Sequence, residues 1–213
     1  DERPPLTIRV NALRISREAL VARLREEEHV EARPTALALE GLILERGAVG
    51  RWAAFSEGLF TVQDEASMLV ARLLDPQPGE SIVDCCAAPG TKATHLAELM
   101  QNRGRVMAMD PQANRLKLLE ASAGRLGLGI IEAQVGSVMT LCPRWPGGFD
   151  RALVDAPCSK LGVVRRNPEV KRRRSEADIR RLQQKQRDIL DAAAGMVRPG
   201  GLAVPSTCSR DTG

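Results

Sequence analysis

Ser81-Ile82-Val83-Asp84-Cys85 is a short apolar run that passes into Cys86-Ala87-Ala88-Pro89-Gly90-Thr91-Lys92. The run reads as a buried strand, the small residues as a tight loop, and Thr91 onward as a helix reaching about residue 100. Small residues and Gly90 let a ligand approach the backbone, and the helix start presents free N–H groups. The loop is neither G-x-G-x-x-G nor G-x-x-x-x-G-K-[ST], so a dinucleotide or a triphosphate is disfavoured. An ordinary tight turn remains open at this point.

The strand–loop–helix pattern repeats downstream. Strands are expected at 105–109, 130–135, 149–154 and 202–206, with helices at 112–126 and 175–197. Alternating units of this kind predict an α/β fold with a mostly parallel sheet and helices on both faces. Pro205 cannot donate to a central ladder, so the last strand is expected at an edge. Upstream, 6–10 alternates like a strand, and Ser16 caps a helix to about Glu28 with Leu20 and Leu24 on one face. Apolar stretches follow at 36–39 and 42–44, split by Gly41. The predicted organisation is a small α+β subdomain over 1–57 and a larger domain over 58–213, with a helix from Asp64 to Leu74.

Composition narrows the function. The chain has 213 residues, 43% hydrophobic and 27% charged, as in globular proteins. No apolar run approaches a membrane span, and Asp1-Glu2-Arg3-Pro4-Pro5 is no signal peptide. The absence of an initiator Met marks a processed chain or a piece of a longer one. Five cysteines without a secretory signal fit a reducing, cytoplasmic setting, and their spacing disfavours zinc; no metal site is expected. From Arg165 to Asp188, ten basic residues face four acids. Such a concentration is the footprint of a polyanion, or a solvated helix face. With three Phe, two Trp and no Tyr, stacking on exposed rings is scarce, so nucleic-acid binding would rest on phosphate contacts.

Three further positions carry chemistry. Asp110 ends the second strand of the large domain, where an acid accepts ribose hydroxyls or caps the next helix. With the loop, it points to a nucleoside-bearing cofactor. Asp155 ends another strand beside Cys158, in Asp155-Ala156-Pro157-Cys158-Ser159, and Arg165 and Arg166 nearby would favour a thiolate. Cys208 follows the last apolar run, in Ser206-Thr207-Cys208-Ser209. Both cysteines therefore leave a sheet at the edge where open α/β folds bind ligands.

These blocks, with Leu161 to Lys171 and the lead-in Gly58 to Ser67, resemble the RsmB/Sun-type RNA 5-methylcytosine methyltransferases along nearly the whole chain. The resemblance implies a Rossmann-like sheet that lacks its last strands here, and S-adenosylmethionine as cofactor. It implies Cys208 as nucleophile, Cys158 in release, and Asp155 on the cytosine's N3 and amino edge. Cys86, Ala87, Ala88, Pro89, Gly90 and Lys92 would line the donor site. Asp110 would take the ribose, with Arg115 close by and Asp155 adjoining. Arg165, Arg166, Lys171, Arg172, Arg173 and Arg174 would meet RNA, ribosomal by implication, and the protein is expected to be monomeric. Two departures stand out. Ser137 occupies the place of an acid that contacts adenine, implying weaker cofactor affinity, and Arg210-Asp211-Thr212-Gly213 replaces an acidic segment and closing strands. Other readings are an inactive RNA- or cofactor-binding module, an amino-group methyltransferase, which would carry an Asn/Asp-Pro-Pro-aromatic turn, and a DNA cytosine methyltransferase.

Overall fold

The computed structural model describes residues 6–45, 47–156 and 176–207. Strands Ser81–Asp84 (β5), Arg105–Asp110 (β6), Ile131–Val135 (β7), Phe149–Asp155 (β8) and Val197–Ser206 (β9) form one parallel sheet in the order β7-β6-β5-β8-β9. Side chains alternate across it. Ile82, Val106, Ala108 and Leu153 pack under helices Glu65–Leu74 (α3), Thr91–Leu99 (α4) and Ala113–Leu126 (α5). Val83, Met107, Met109 and Val154 face the short Val138–Leu141 helix (α6) and Glu176–Met196 (α7). Ile82–Val83, Val106–Met109 and Ala152–Val154 are apolar because both faces are covered there, whereas the edge strand β7 carries Glu132 and Gln134.

The chain winds from β5 outward through β6 to β7, then returns to the other side of β5 as β8. The direction reverses between β5 and β8, and their C-terminal ends form the crevice where such sheets bind ligands. As expected, β9 is an edge among the described residues, with Pro205 in register with Val154. It starts at Val197 rather than 202, because the bulged Arg198–Gly201 segment already lies beside β8.

The N-terminal sheet has the order β2-β3-β1-β4, from Leu6–Val10 (β1), Ala32–Pro34 (β2), Gly41–Leu44 (β3) and Phe60–Val62 (β4), all antiparallel. Helix Arg17–Glu28 (α1) is capped by Ser16, whose Oγ accepts from Ala19 N at 3.1 Å, and it buries Leu20 and Leu24. The short Ala53–Ser56 helix (α2) joins it over Ile8, Val10, Leu42, Leu44 and Phe60. The apolar stretch 36–39 is a turn. Thr35 Oγ1 donates to Ala38 O at 2.8 Å, while Leu37 and Leu39 stay exposed. Residues 60–62 lie past the expected boundary at 57, yet pair with β1, since Ile8↔Val62 and Val10↔Phe60 complete the small sheet.

Candidate active site

The first βα loop is tied to both neighbouring strands. Cys85 N donates to Leu153 O on β8 and Ala87 N to Met109 O on β6, each at 2.9 Å. Gly90 has φ +108°, a region that favours glycine, and a Cβ there would meet Leu119 Cγ at 2.7 Å. Loop and α5 can approach this closely only with glycine at that position.

Three carboxylates ring the loop. Asp84 is buried; its Oδ1 accepts from Cys86 N at 3.3 Å, and its Oδ2 has no partner among the described residues. Burial, reinforced by the nearby Asp155 charge, pushes its pKa up to about 7. Asp110 Oδ1 accepts from Gln112 N at 2.8 Å, and its Oδ2 from Arg115 Nη1 at 3.2 Å. The turn-capping role is therefore present, and the second oxygen faces the cation named in the sequence. Arg115 also donates to Ala88 O, joining Asp110 to the loop. Asp155 Oδ2 accepts from Lys92 Nζ at 2.6 Å, both partly buried. This ion pair spans the reversal between β5 and β8.

The described cysteines near the loop are thiols. Burial, then the charges of Asp84 and Asp155, pushes Cys86 up to about 12, and burial also raises Cys85 well above the ordinary thiol range. Both thiols are thus held toward the protonated form. Ser137 caps α6, its Oγ accepting from Met139 N at 3.3 Å beyond the end of β7. Where β8 and β9 end against α7, a cavity of about 410 Å³ opens, lined by Ala156, Gln183, Arg187, Leu190, Ser206 and Thr207 among others. Cys158, Cys208 and Arg165, Arg166, Lys171, Arg172, Arg173 and Arg174 lie outside the described residues. Among the described residues no cluster of His, Cys, Asp or Glu could hold a metal, and no helix is long and apolar enough to cross a membrane.

Thus Cys86, Ala87, Ala88, Pro89, Gly90, Lys92, Asp110, Arg115 and Asp155 gather around the β5–β8 and β5–β6 ends, with Ser137 one strand further out. The sequence reading missed the orphaned oxygen of Asp84 and the Lys92–Asp155 pair. The apolar run marks Asp84 as buried, but nothing in it tells of a missing partner.

Residues 71–212 match the family model "16S rRNA methyltransferase RsmB/F", and residues 1–49 match the ferredoxin-like domain described with it. The chain belongs to the RsmB/F methyltransferase family. It is 41% identical over 209 residues to the probable ribosomal RNA small subunit methyltransferase B of Bacillus subtilis, covering 98% of this chain and 46% of that protein. A Sodalis glossinidius ribosomal RNA small subunit methyltransferase B is 40% identical, with 98% and 48% covered. The chain spans about half the length of these family members. Among solved structures, PH0851 superposes with a TM-score of 0.93 at 37% identity, covering 99% of this chain and 48% of that one. NSun6 from Pyrococcus horikoshii, solved with SFG, gives 0.88 at 25% identity, with 98% and 77% covered.

Proposed function

We propose that this chain methylates carbon 5 of a cytosine in ribosomal RNA, with S-adenosylmethionine as donor and a covalent Cys208 adduct as intermediate. The observation that carries the reading is the Lys92–Asp155 pair beside the small-residue loop, at the reversal of the sheet. The donor fits the residues present. The Asp84 oxygen lacks a partner beneath the loop, Gly90 leaves no room for a side chain, and Asp110 closes the neighbouring strand. A structural neighbour was solved with SFG, an S-adenosylmethionine analogue. When bound, the donor supplies a methyl group on a sulfonium, an electrophile that needs an electron-rich carbon.

The chain's task is to make that carbon. The Cys208 thiolate adds to carbon 6 of the ring, forming an S–C6 bond and moving an electron pair to carbon 5. Lys92 holds Asp155 by Oδ2, leaving Oδ1 for the cytosine's amino edge as charge develops there. Once carbon 5 is substituted, its proton leaves to a base. The freed pair expels the Cys208 thiolate and restores the ring, with Cys158 assisting. The raised pKa values of Cys85 and Cys86 support this division of labour, since the thiols under the loop stay protonated. The basic 165–174 segment would hold RNA phosphates, and a ribosomal substrate puts the reaction in the cytoplasm.

The test is nucleoside mass spectrometry after incubation of small-subunit RNA with methyl-labelled donor. Label in 5-methylcytidine supports the reading. Donor binding with no label in RNA leaves a binding module instead.

A further inference from the structure

Arg9 sits on β1, in a strand whose alternation would send it to solvent, yet it is fully buried. The face of the small sheet that carries Arg9 meets α4. There Arg9 lies along one stripe of α4, meeting residues 91, 94 and 98, one and two turns apart. Nε and Nη2 donate to the two oxygens of Glu98 at 2.9 and 3.0 Å, and Nη1 donates to Thr91 O at 2.7 Å and to Gln63 Oε1. Nη2 also donates to Thr94 Oγ1 at 3.1 Å, and Thr94 Oγ1 in turn donates to Gly90 O at 2.8 Å.

A guanidinium from one sheet is thus joined, through a single hydroxyl, to the loop carbonyl of the other. Thr91, which it grips directly, stands between Gly90 and Lys92. The Glu98 fork accounts for burial of the charge, but burial alone would not require bonds to the helix start. We propose that Arg9 is a positioning residue for the donor site: by holding the first turn of α4 and, through Thr94, the Gly90 carbonyl, it lets the N-terminal sheet set donor affinity. The inference rests on the reading that the 86–90 loop binds S-adenosylmethionine.

The experiment uses the full 213-residue chain, with calorimetric titration of S-adenosylmethionine and amide hydrogen exchange without ligand. Arg9→Met alone leaves Glu98 buried and unpaired and can fail to fold. Arg9→Met/Glu98→Met removes both charges at similar volume, a change often neutral for stability. We expect the double variant to melt near the wild type, bind the donor about tenfold more weakly, and exchange Thr94 and His95 amides about tenfold faster. Arg125→Met removes a different cross-domain tie, from α5 to Phe55 O and Phe60 O. It should lower Tm while leaving the donor Kd within about twofold. A double variant with wild-type Kd and wild-type exchange at Thr94 overturns the proposal and leaves Arg9 a structural ion pair. A wild type that binds no donor overturns the donor-site reading instead, and the exchange arm still decides whether Arg9 holds the helix start.

Discussion

Asp84 concentrates the electrostatics of the site into one side chain. It is buried under a loop of small residues with one oxygen unpartnered, and burial raises its pKa from 3.8 to about 7. The sign of its effect on stability follows. The folded chain keeps the proton up to about pH 7, whereas the unfolded chain releases it near 3.8. This contribution is therefore present at low pH and lost as pH rises toward and through 7. Relative to the wild type, Asp84→Asn should raise the Tm at pH 8 against that at pH 5 by roughly 6 °C, given about 1.4 kcal/mol per pKa unit and 2–4 °C per kcal/mol at this size. Parallel thermal melts of the two proteins check it, and curves of equal slope refute it. Donor binding should raise the wild type's Tm most at alkaline pH, where the unpaired charge costs most. For Lys92 and Asp155, Lys92→Met and Asp155→Asn should each slow single-turnover methyl transfer by about 100-fold or more. A loss of only a few-fold would remove the pair from the chemistry.

At the scale of elements, the central strands β5 and β6 were legible because burial on both faces leaves short apolar runs. Helices α3 to α5 were legible because turns and glycines punctuate them. Ser16 marked the start of α1, and Pro205 marked an edge. What was not legible came from packing at a distance. Arg9 obeys the alternation of a half-exposed strand, and only the covering helices bury it. The apolar stretch around Leu37 and Leu39 is a turn, held by the bond of Thr35 to Ala38 O and by Glu65, which accepts from the N–H groups of Leu37 and Ala38. Residues 60–62 read as a lead-in to the second domain because nothing local announces their pairing with β1.

Helix α4 also carries His95, buried with Nε2 2.8 Å from Glu40 Oε1 but with no N–H aligned on it. Burial and the Arg9 charge lower His95 from 6.5 to about 4. Burial works against ionisation of Glu40, yet the His95 and Arg72 contacts hold it down to about 2. Both groups bind more protons when unfolded. Stability is therefore lost as pH falls, first between 6.5 and 4 through His95, then between 4.5 and 2 through Glu40. His95→Gln should flatten the first interval in acid-denaturation curves, and an unchanged profile would show that His95 does not govern it. Gly90→Ala forces a side chain into φ +108° and against Leu119, and should cost about 1–3 kcal/mol in urea unfolding.

At the scale of the molecule, two sheets meet through buried polar ties rather than a purely apolar seam. Asn11 Nδ2 donates to Gly58 O and Leu126 O at 3.0 Å, and Arg125 lies 3.8 Å over the Phe55 ring. The small sheet thereby becomes part of the scaffold for the 86–90 loop. The basic segment belongs to the same scale. Reversing Arg172, Arg173 and Arg174 to Glu should weaken RNA binding and flatten its dependence on salt, as measured by titration at several ionic strengths.

The most direct measurement is the trapping of the protein on RNA that carries 5-fluorocytosine in the presence of S-adenosylmethionine. Fluorine at carbon 5 blocks loss of the substituent, so a Cys208 adduct should accumulate, survive denaturing gels and vanish in Cys208→Ala while persisting in Cys158→Ala. An adduct that forms equally well without Cys208, or methylation of cytosine 5 with no adduct at all, would contradict the account.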